Sequence, residues 1–318
     1  MQSTTRRGFL RTLGGAAIGL AGLPAARSAE ADQTPLTLGF SLYGMKALKT
    51  EDAIKAVAEI GYDSAELCLM PDWDAAPGRL GPERRKEVRS VFEETGLKLA
   101  ALMEHVSLVG TAQGQQGVHE RLERAAELGH DLSPDSPPLI ETTTGGGQWA
   151  RLRNQLRDNL GAWARVAEAS RTVVAVKPHR FGVVSRPEQA VWLVEQVGSP
   201  WIRLVYDYSH FIHRDIPLAG SIRTMMPQTR FVHVKDTVMR GGRARFLLPG
   251  ESGQIDYVEL LKLLVEAGYR GDVCCEVSGM VSGQAGYDPV VAARTCYRNM
   301  AKAFQEAAIR RVSDQPVS

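Results

Sequence analysis

Four stretches in the second half of the chain decide its fold. They are V-V-A-V-K-P-H-R at residues 173–180, I-R-L-V-Y-D-Y-S-H at 202–210, R-F-V-H-V-K-D at 230–236 and G-D-V-C-C-E-V at 271–277. Each starts as a short, mostly apolar run and breaks into polar or charged side chains. Apolar runs of this length without strict alternation read as strands buried on both faces, the signature of a parallel sheet. Helical patterns at 187–197, 216–226 and 257–267 separate them. Strand, helix and strand recur at a spacing of about 30 residues, the size of one βα repeat.

The same rhythm runs back to the first third of the chain. Strands are expected at 36–42, 64–68, 97–103, 138–141, 173–176, 202–206, 230–234 and 273–277. Helices are expected at 51–60, 82–95, 118–128, 149–169, 187–197, 216–226, 257–267 and 289–309. Gly61, Gly96, Gly129, Gly198 and Gly268 follow helical runs, where a glycine takes the left-handed closing position. Pro82 and Pro187 open helices, where a missing N–H costs little. Eight such units predict an α/β fold, a single (β/α)8 TIM barrel spanning residues 32–318. No phosphate-binding glycine fingerprint opens the first unit, which argues against an open, doubly wound sheet.

The leader is a separate problem. Residues 1–31 hold Arg6, Arg7, Arg11 and Arg27 against one acid, Glu30. A basic segment, T-T-R-R-G-F-L-R at 4–11, precedes a run rich in Gly and Ala at 12–26 and an A-E-A site at 29–31. This is the layout of a secretory signal, and the Arg pair before Phe9-Leu10 is similar to a twin-arginine signal. The expected partner is the twin-arginine export machinery, and the expected location is periplasmic or extracellular. The apolar run is too short to span a bilayer, so no stable membrane insertion is expected after signal removal. Outside the leader, acids and bases nearly balance. No basic excess is left to concentrate phosphates, so no nucleic-acid partner is expected. Four cysteines, Cys68, Cys274, Cys275 and Cys296, make no disulfide framework in a chain of 318 residues and read as small buried apolar groups.

Chemistry in a TIM barrel gathers at the C-terminal ends of its strands. In this chain those ends carry Glu104-His105, Glu141, Lys177 and His179, Asp207 and His210, His233 with Lys235 and Asp236, and Glu276. His213 and Asp236 read as loop-ordering groups, and Glu66 as a partner behind the first row. Asp207, His233 and Glu276 come from consecutive strands and should converge. One imidazole and two carboxylates suit a divalent metal with open positions. Mn²⁺ is the first expectation, with Zn²⁺, Co²⁺ or Mg²⁺ as alternatives. Glu276 and Lys177 are the candidate catalytic residues. His179, His210, Lys235, Glu141 and His105 are the candidate substrate contacts.

The order K-P-H, D-Y-S-H, H-V-K-D, P-G-E-S-G-Q-I-D-Y and G-Y-R-G-D-V-C-C-E-V resembles the xylose isomerase-like TIM-barrel superfamily, the group of sugar phosphate isomerases and epimerases. The resemblance implies a metal site with Glu, Asp, His and Glu on strands 5 to 8. Asp207, His233 and Glu276 match three of these, and His179 and His210 match positions near the substrate. The fourth departs: Lys177 stands where the family has Glu. Three arrangements follow. The metal keeps three ligands plus water or Glu141, with Lys177 turned away; or Lys177 replaces the metal as the cation; or Lys177 is an acid or base. A retained metal is the expectation carried forward.

The implied function is an exported, metal-dependent isomerase or epimerase for an unphosphorylated sugar or keto-sugar. It would abstract a proton next to a carbonyl, with the enediolate held by the metal. Two alternatives stay open: a keto-glycoside lyase working by β-elimination on the same site, and a non-catalytic sugar-binding module altered by Lys177. The expected partner is a small-molecule sugar, and a homo-oligomer is compatible with the sequence.

Overall fold

The computed structural model describes residues 36–314, and the leader expected at 1–31 lies outside the described residues. Eight parallel strands close into a barrel. They are β1 (Thr37–Ser41), β2 (Ser64–Cys68), β3 (Lys98–Met103), β4 (Leu139–Thr143), β5 (Val174–Lys177), β6 (Ile202–Tyr206), β7 (Thr229–Val234) and, after an inserted hairpin of β8 (Asp236–Arg240) and β9 (Arg243–Leu247), β10 (Asp272–Cys275). Each strand lies beside its neighbours in the chain. The ring shuts where β1 pairs with β10, Thr37 opposite Asp272 through Phe40 opposite Cys275. The expected (β/α)8 barrel is what the chain forms.

The helices wrap the outside: α1 (Thr50–Ile60), α2 (Pro82–Thr95), α3 (Gln116–Leu132), α4 (Trp149–Ala169), α5 (Pro187–Val197), α6 (Leu218–Met225), α7 (Tyr257–Glu266) and α9 (Pro289–Ala307), with the short α8 (Gly279–Ser282) before the last. Helix α4 shows why they pack. Its buried residues Leu156, Leu160, Trp163 and Ala167 recur at helical spacing, and they face the strands as one apolar stripe. The indole N–H of Trp163 is satisfied by Gln115 Oε1 at 2.8 Å, so the largest side chain in that stripe leaves no unpaired donor. Among the described residues no helix is long and apolar enough to cross a membrane.

Gly61 closes α1 at φ +103°, a conformation that favours glycine, and a Cβ there would meet Tyr297 Oη at 2.9 Å. Gly129 corrects the sequence reading. It lies inside α3, which runs on to Leu132. Its smallness serves packing instead: a Cβ would come within 3.1 Å of Leu102 and 3.2 Å of Pro138.

The barrel interior is built by the two-residue period of strands. Ala101, Ala175, Val205, Phe231 and Cys274 form one buried apolar cluster, with Leu139 packed against it. Strands β3 to β7 and β10 all contribute, so this cluster is the barrel floor. Two residues further on, the same faces of β4 to β7 and β10 present Glu141, Lys177, Asp207, His233 and Glu276.

Candidate active site

The charged layer centres on one oxygen. Glu276 Oε2 lies 2.8 Å from Lys177 Nζ, 3.1 Å from Lys235 Nζ and 3.1 Å from His233 Nδ1. Lys177 ends β5, and its Nζ is also 2.9 Å from His233 Nδ1 and 3.6 Å from Glu141 Oε1. Lys235 follows β7 and forms a short ion pair with Asp207 Oδ2. Asp207 is held from the other side by Ser209, whose N–H and hydroxyl both donate to Oδ1, at 3.0 and 2.6 Å. On β2, Glu66 Oε2 accepts from His233 Nε2 at 3.0 Å, as the sequence reading expected of a group behind the first row.

Burial would raise the carboxyl pKa of Asp207 and Glu276, but neighbouring charge wins. Lys235 and then His210 hold Asp207 below the usual carboxylate range, and Lys177, Lys235 and His233 do the same for Glu276. Lys177 is raised: burial opposes its charge, but Glu141 and Glu276 outweigh it. For His233, burial and the Lys177 charge pull down, while Glu66 and Glu276 on either side lift the pKa to about 9. Glu141 goes the other way. Burial outweighs the nearby Lys177 charge and pushes its carboxyl up to about 7. Neither of its oxygens has a hydrogen-bond partner.

The groups facing the mouth are different in kind. Glu276 keeps 10 % of its side chain exposed, whereas Glu66, Glu141 and Asp207 keep none. No hydrogen bond among the described residues reaches Glu276 Oε1, and unlike the oxygens of Glu141 it is not sealed from solvent. His105 and His179 are partly exposed. Burial, reinforced by Lys177, lowers His105 to about 4. Burial, reinforced by His210 and Lys235, lowers His179 to about 2. Both imidazoles are neutral at neutral pH and line the entrance as hydrogen-bonding groups without charge.

Of the five expected substrate contacts, His105 and His179 reach the mouth. Glu141, His210 and Lys235 lie beneath it. His210 packs behind His179 with the rings tilted by 52° and their centroids 4.0 Å apart, and its Nε2 lies 3.3 Å from Asp207 Oδ2. The loop-ordering residues behave as expected. Asp236 accepts from the Ser252 N–H and hydroxyl, each at 2.7 Å, and from the Tyr257 hydroxyl at 2.6 Å. His213 Nε2 lies 3.0 Å from the Thr237 carbonyl.

Two contributors escaped the sequence reading. Tyr43, just past β1, stacks on Trp73 at 5.3 Å and packs against His105 at 5.9 Å. Burial and the Glu276 charge raise its phenol pKa, so the hydroxyl keeps its proton. Phe246 comes from the β8–β9 hairpin, whose Gly241-Gly242 turn has positive φ at both residues, as a tight two-residue turn requires. Its ring covers His210 at 5.3 Å and lies 5.2 Å from Lys235 Nζ. The segment at 241–250 is largely an ordered hairpin arm with Phe246 as its plug. The signal for Tyr43 was its place at the end of the first strand; the signal for Phe246 was the apolar alternation A-R-F at 244–246 flanking a Gly-Gly turn.

The three expected metal ligands do converge: donor atoms of Asp207, His233 and Glu276 lie within 4.8 Å of one another. Glu66, His233 and Cys274 form a second such group, in which burial and the Glu66 charge raise the Cys274 thiol. The first set does not fit a divalent ion as it stands. Asp207 Oδ2 and Glu276 Oε2 are paired with ammonium groups, and Lys177 Nζ lies 2.9 Å from His233 Nδ1. Lys177 is not turned away but sits against two of the three donors. An ion at metal–ligand distances of about 2.1 Å from Glu276 Oε2 would stand no more than about 5 Å from Lys177 Nζ. At an effective ε of 20, a double charge at that distance is repelled by roughly 7 kcal/mol.

Comparison with known proteins agrees with this architecture. The family model described as "Xylose isomerase-like TIM barrel" matches residues 54–300. A Mus musculus protein named "Putative hydroxypyruvate isomerase" is 37 % identical over 90 residues, which is 28 % of this chain and 30 % of that one. The match therefore spans less than a third of that relative. The 2-epi-5-epi-valiolone 7-phosphate 2-epimerase of Actinoplanes sp. is 28 % identical over 211 residues, 63 % of this chain and 73 % of that one. Among solved structures, the 3-keto-D-glucoside 4-epimerase of E. coli superposes with a TM-score of 0.66 at 18 % identity, covering 84 % of this chain and 99 % of the other. These relatives are isomerases and epimerases.

Proposed function

The chain belongs to the xylose isomerase-like TIM-barrel family, and on that premise we propose that it is an isomerase- or epimerase-type enzyme that moves a proton at a carbon next to a carbonyl. The observation that carries this reading is the Glu276 carboxylate. Three nitrogens, two of them ammonium groups, pin one of its oxygens, and the other is open to solvent. A carboxylate so fixed is a positioned base, and positioning removes the entropic cost of bringing base and carbon together.

The step balances within the substrate. Glu276 Oε1 takes the proton from the α carbon, the C–H electron pair becomes a C=C bond, and the carbonyl π pair moves onto oxygen as an enediolate. Delivery of a solvent proton to the opposite face gives an epimer; return of the proton from Glu276 to the former carbonyl carbon, with the α-hydroxyl proton passing to the former carbonyl oxygen, gives an isomer. Once Glu276 is protonated it no longer offsets the Lys177 and Lys235 ammonium groups, and their charge lowers the energy of the anionic intermediate. His105 and His179, both neutral, hold hydroxyl groups at the entrance. The convergence of Asp207, His233 and Glu276 favours a second reading in which a divalent metal holds the oxyanion, but no step is assigned to it because their donor atoms are already paired.

The substrate we propose is an unphosphorylated sugar or keto-sugar, since the leader read at 1–31 would deliver the barrel to the periplasm. Mass spectrometry of the mature N-terminus checks export. The activity is tested by incubating the protein with ketoses and keto-glycosides in deuterated water and following them by NMR. Loss of an α-proton with a new epimer or isomer is expected. An unsaturated product would identify β-elimination instead, and binding without exchange would identify a sugar-binding module.

A further inference from the structure

We infer that Lys177 and Lys235 together take the place of a divalent cation, so that the fixed positive charge of this pocket comes from two ammonium groups and from no metal ion. The inference rests on the proposed proton transfer only for what the charge acts upon; the replacement itself stands on the geometry. Between them the two lysines touch each of the three converging donor atoms. Lys177 Nζ lies 2.8 Å from Glu276 Oε2 and 2.9 Å from His233 Nδ1. Lys235 Nζ pairs with Asp207 Oδ2 and lies 3.1 Å from the same Glu276 oxygen.

Both lysines are placed by the barrel itself. Lys177 is the last residue of β5, and Lys235 immediately follows β7. Their side chains are 2 % and 1 % exposed, so neither ammonium is free to swing into water. Leaving would strip Asp207 and Glu276 of their counter-charges inside the barrel, where an unpaired ion is costly. The substitution is also chemically sufficient. A divalent ion supplies two positive charges, and two ammonium groups supply the same number, with N–H donors in place of empty orbitals. Such donors bind a developing oxyanion by charge-assisted hydrogen bonds or through the field beneath it. They cannot be lost to a chelator.

The test needs no substrate. Protein purified without chelators or metal-affinity resin is submitted to elemental analysis. Its Tm is then measured with EDTA and with added Mn²⁺ or Zn²⁺. Far less than one ion per chain and an unchanged Tm are expected. A stoichiometric metal that EDTA removes, or a Tm that rises with Mn²⁺, overturns the inference. Lys177→Glu gives the complementary reading, because it removes one ammonium and adds a carboxylate to the donor set. Its Tm is expected to rise by several degrees on adding Mn²⁺. If Lys177→Glu does not fold, Lys177→Gln is titrated in its place. A folded variant that gains no affinity for the ion would show that the lysine is not what excludes it, and would overturn the inference too. Because these readouts concern the ion alone, a failure to find turnover would count against the proposed function and leave this result decided separately.

Discussion

Two residues along a strand separate Ala175 from Lys177, Val205 from Asp207, Phe231 from His233 and Cys274 from Glu276. The first member of each pair belongs to the apolar floor of the barrel, the second to the charged layer at its mouth. Both layers are almost fully buried. The floor itself is made of apolar side chains alone. The mouth tolerates many charges because nearly every one has an opposite partner within hydrogen-bond reach. The difference is one of partnership rather than of solvent access, and it separates what the barrel spends on stability from what it spends on chemistry.

The comparison breaks most severely if charge is moved one layer down. Val205→Lys would bury an ammonium among Ala175, Phe231 and Cys274, with the apolar Phe231 as its partner in register on β7. A cost of several kcal/mol is expected, enough to leave the protein largely unfolded. Circular dichroism and the soluble yield check this; a cooperative native-like melt would show that the floor is wetter than described.

The next largest effect should come from Glu276→Gln. Neutralising the hub leaves Lys177 and Lys235 short of a counter-charge, so stability should fall by about 3 kcal/mol, and turnover should drop by about a thousandfold or more. Thermal melts and single-substrate kinetics separate the two. Turnover within tenfold of wild type would remove Glu276 from the role of base.

Glu141 is the exception in the charged layer, and it sharpens the comparison because it is the carboxylate with no hydrogen-bond partner at either oxygen. Its folded pKa of about 7 exceeds the ordinary 4.5. Between those values the unfolded chain has released a proton that the native state still holds, so this group lowers stability as pH rises from 4.5 to 7. Glu141→Gln removes that penalty. Its melting temperature should exceed that of wild type at pH 8, by roughly 1–3 kcal/mol in stability, and the advantage should shrink toward pH 5. An advantage independent of pH would mean that Glu141 does not titrate in this range.

Most of the floor-and-mouth pattern was legible in the sequence. Period-two alternation puts residues 175 and 177, or 274 and 276, on one face, and the switch from apolar to charged is visible in each motif. The barrel followed from counting βα units, and Glu66 behind His233 followed from its place on a strand. The partnering of Lys177 was legible only as one of three arrangements. Spacing along the chain says that an ammonium and a carboxylate share a rim, but not which oxygen the nitrogen closes on. Gly129 misled because a glycine after a helical run looks the same whether it caps the helix or makes room for Leu102 and Pro138. Phe246 was hidden because a hairpin inserted after the seventh barrel strand follows no barrel repeat.

The central claim is that a charged layer without a metal performs proton transfer at the barrel mouth. Deuterium incorporation from solvent into a keto-sugar by EDTA-treated wild-type protein tests it most directly. The account predicts exchange at the carbon beside the carbonyl, at a rate that added Mn²⁺ leaves unchanged. Exchange that appears only when a divalent ion is restored would contradict it.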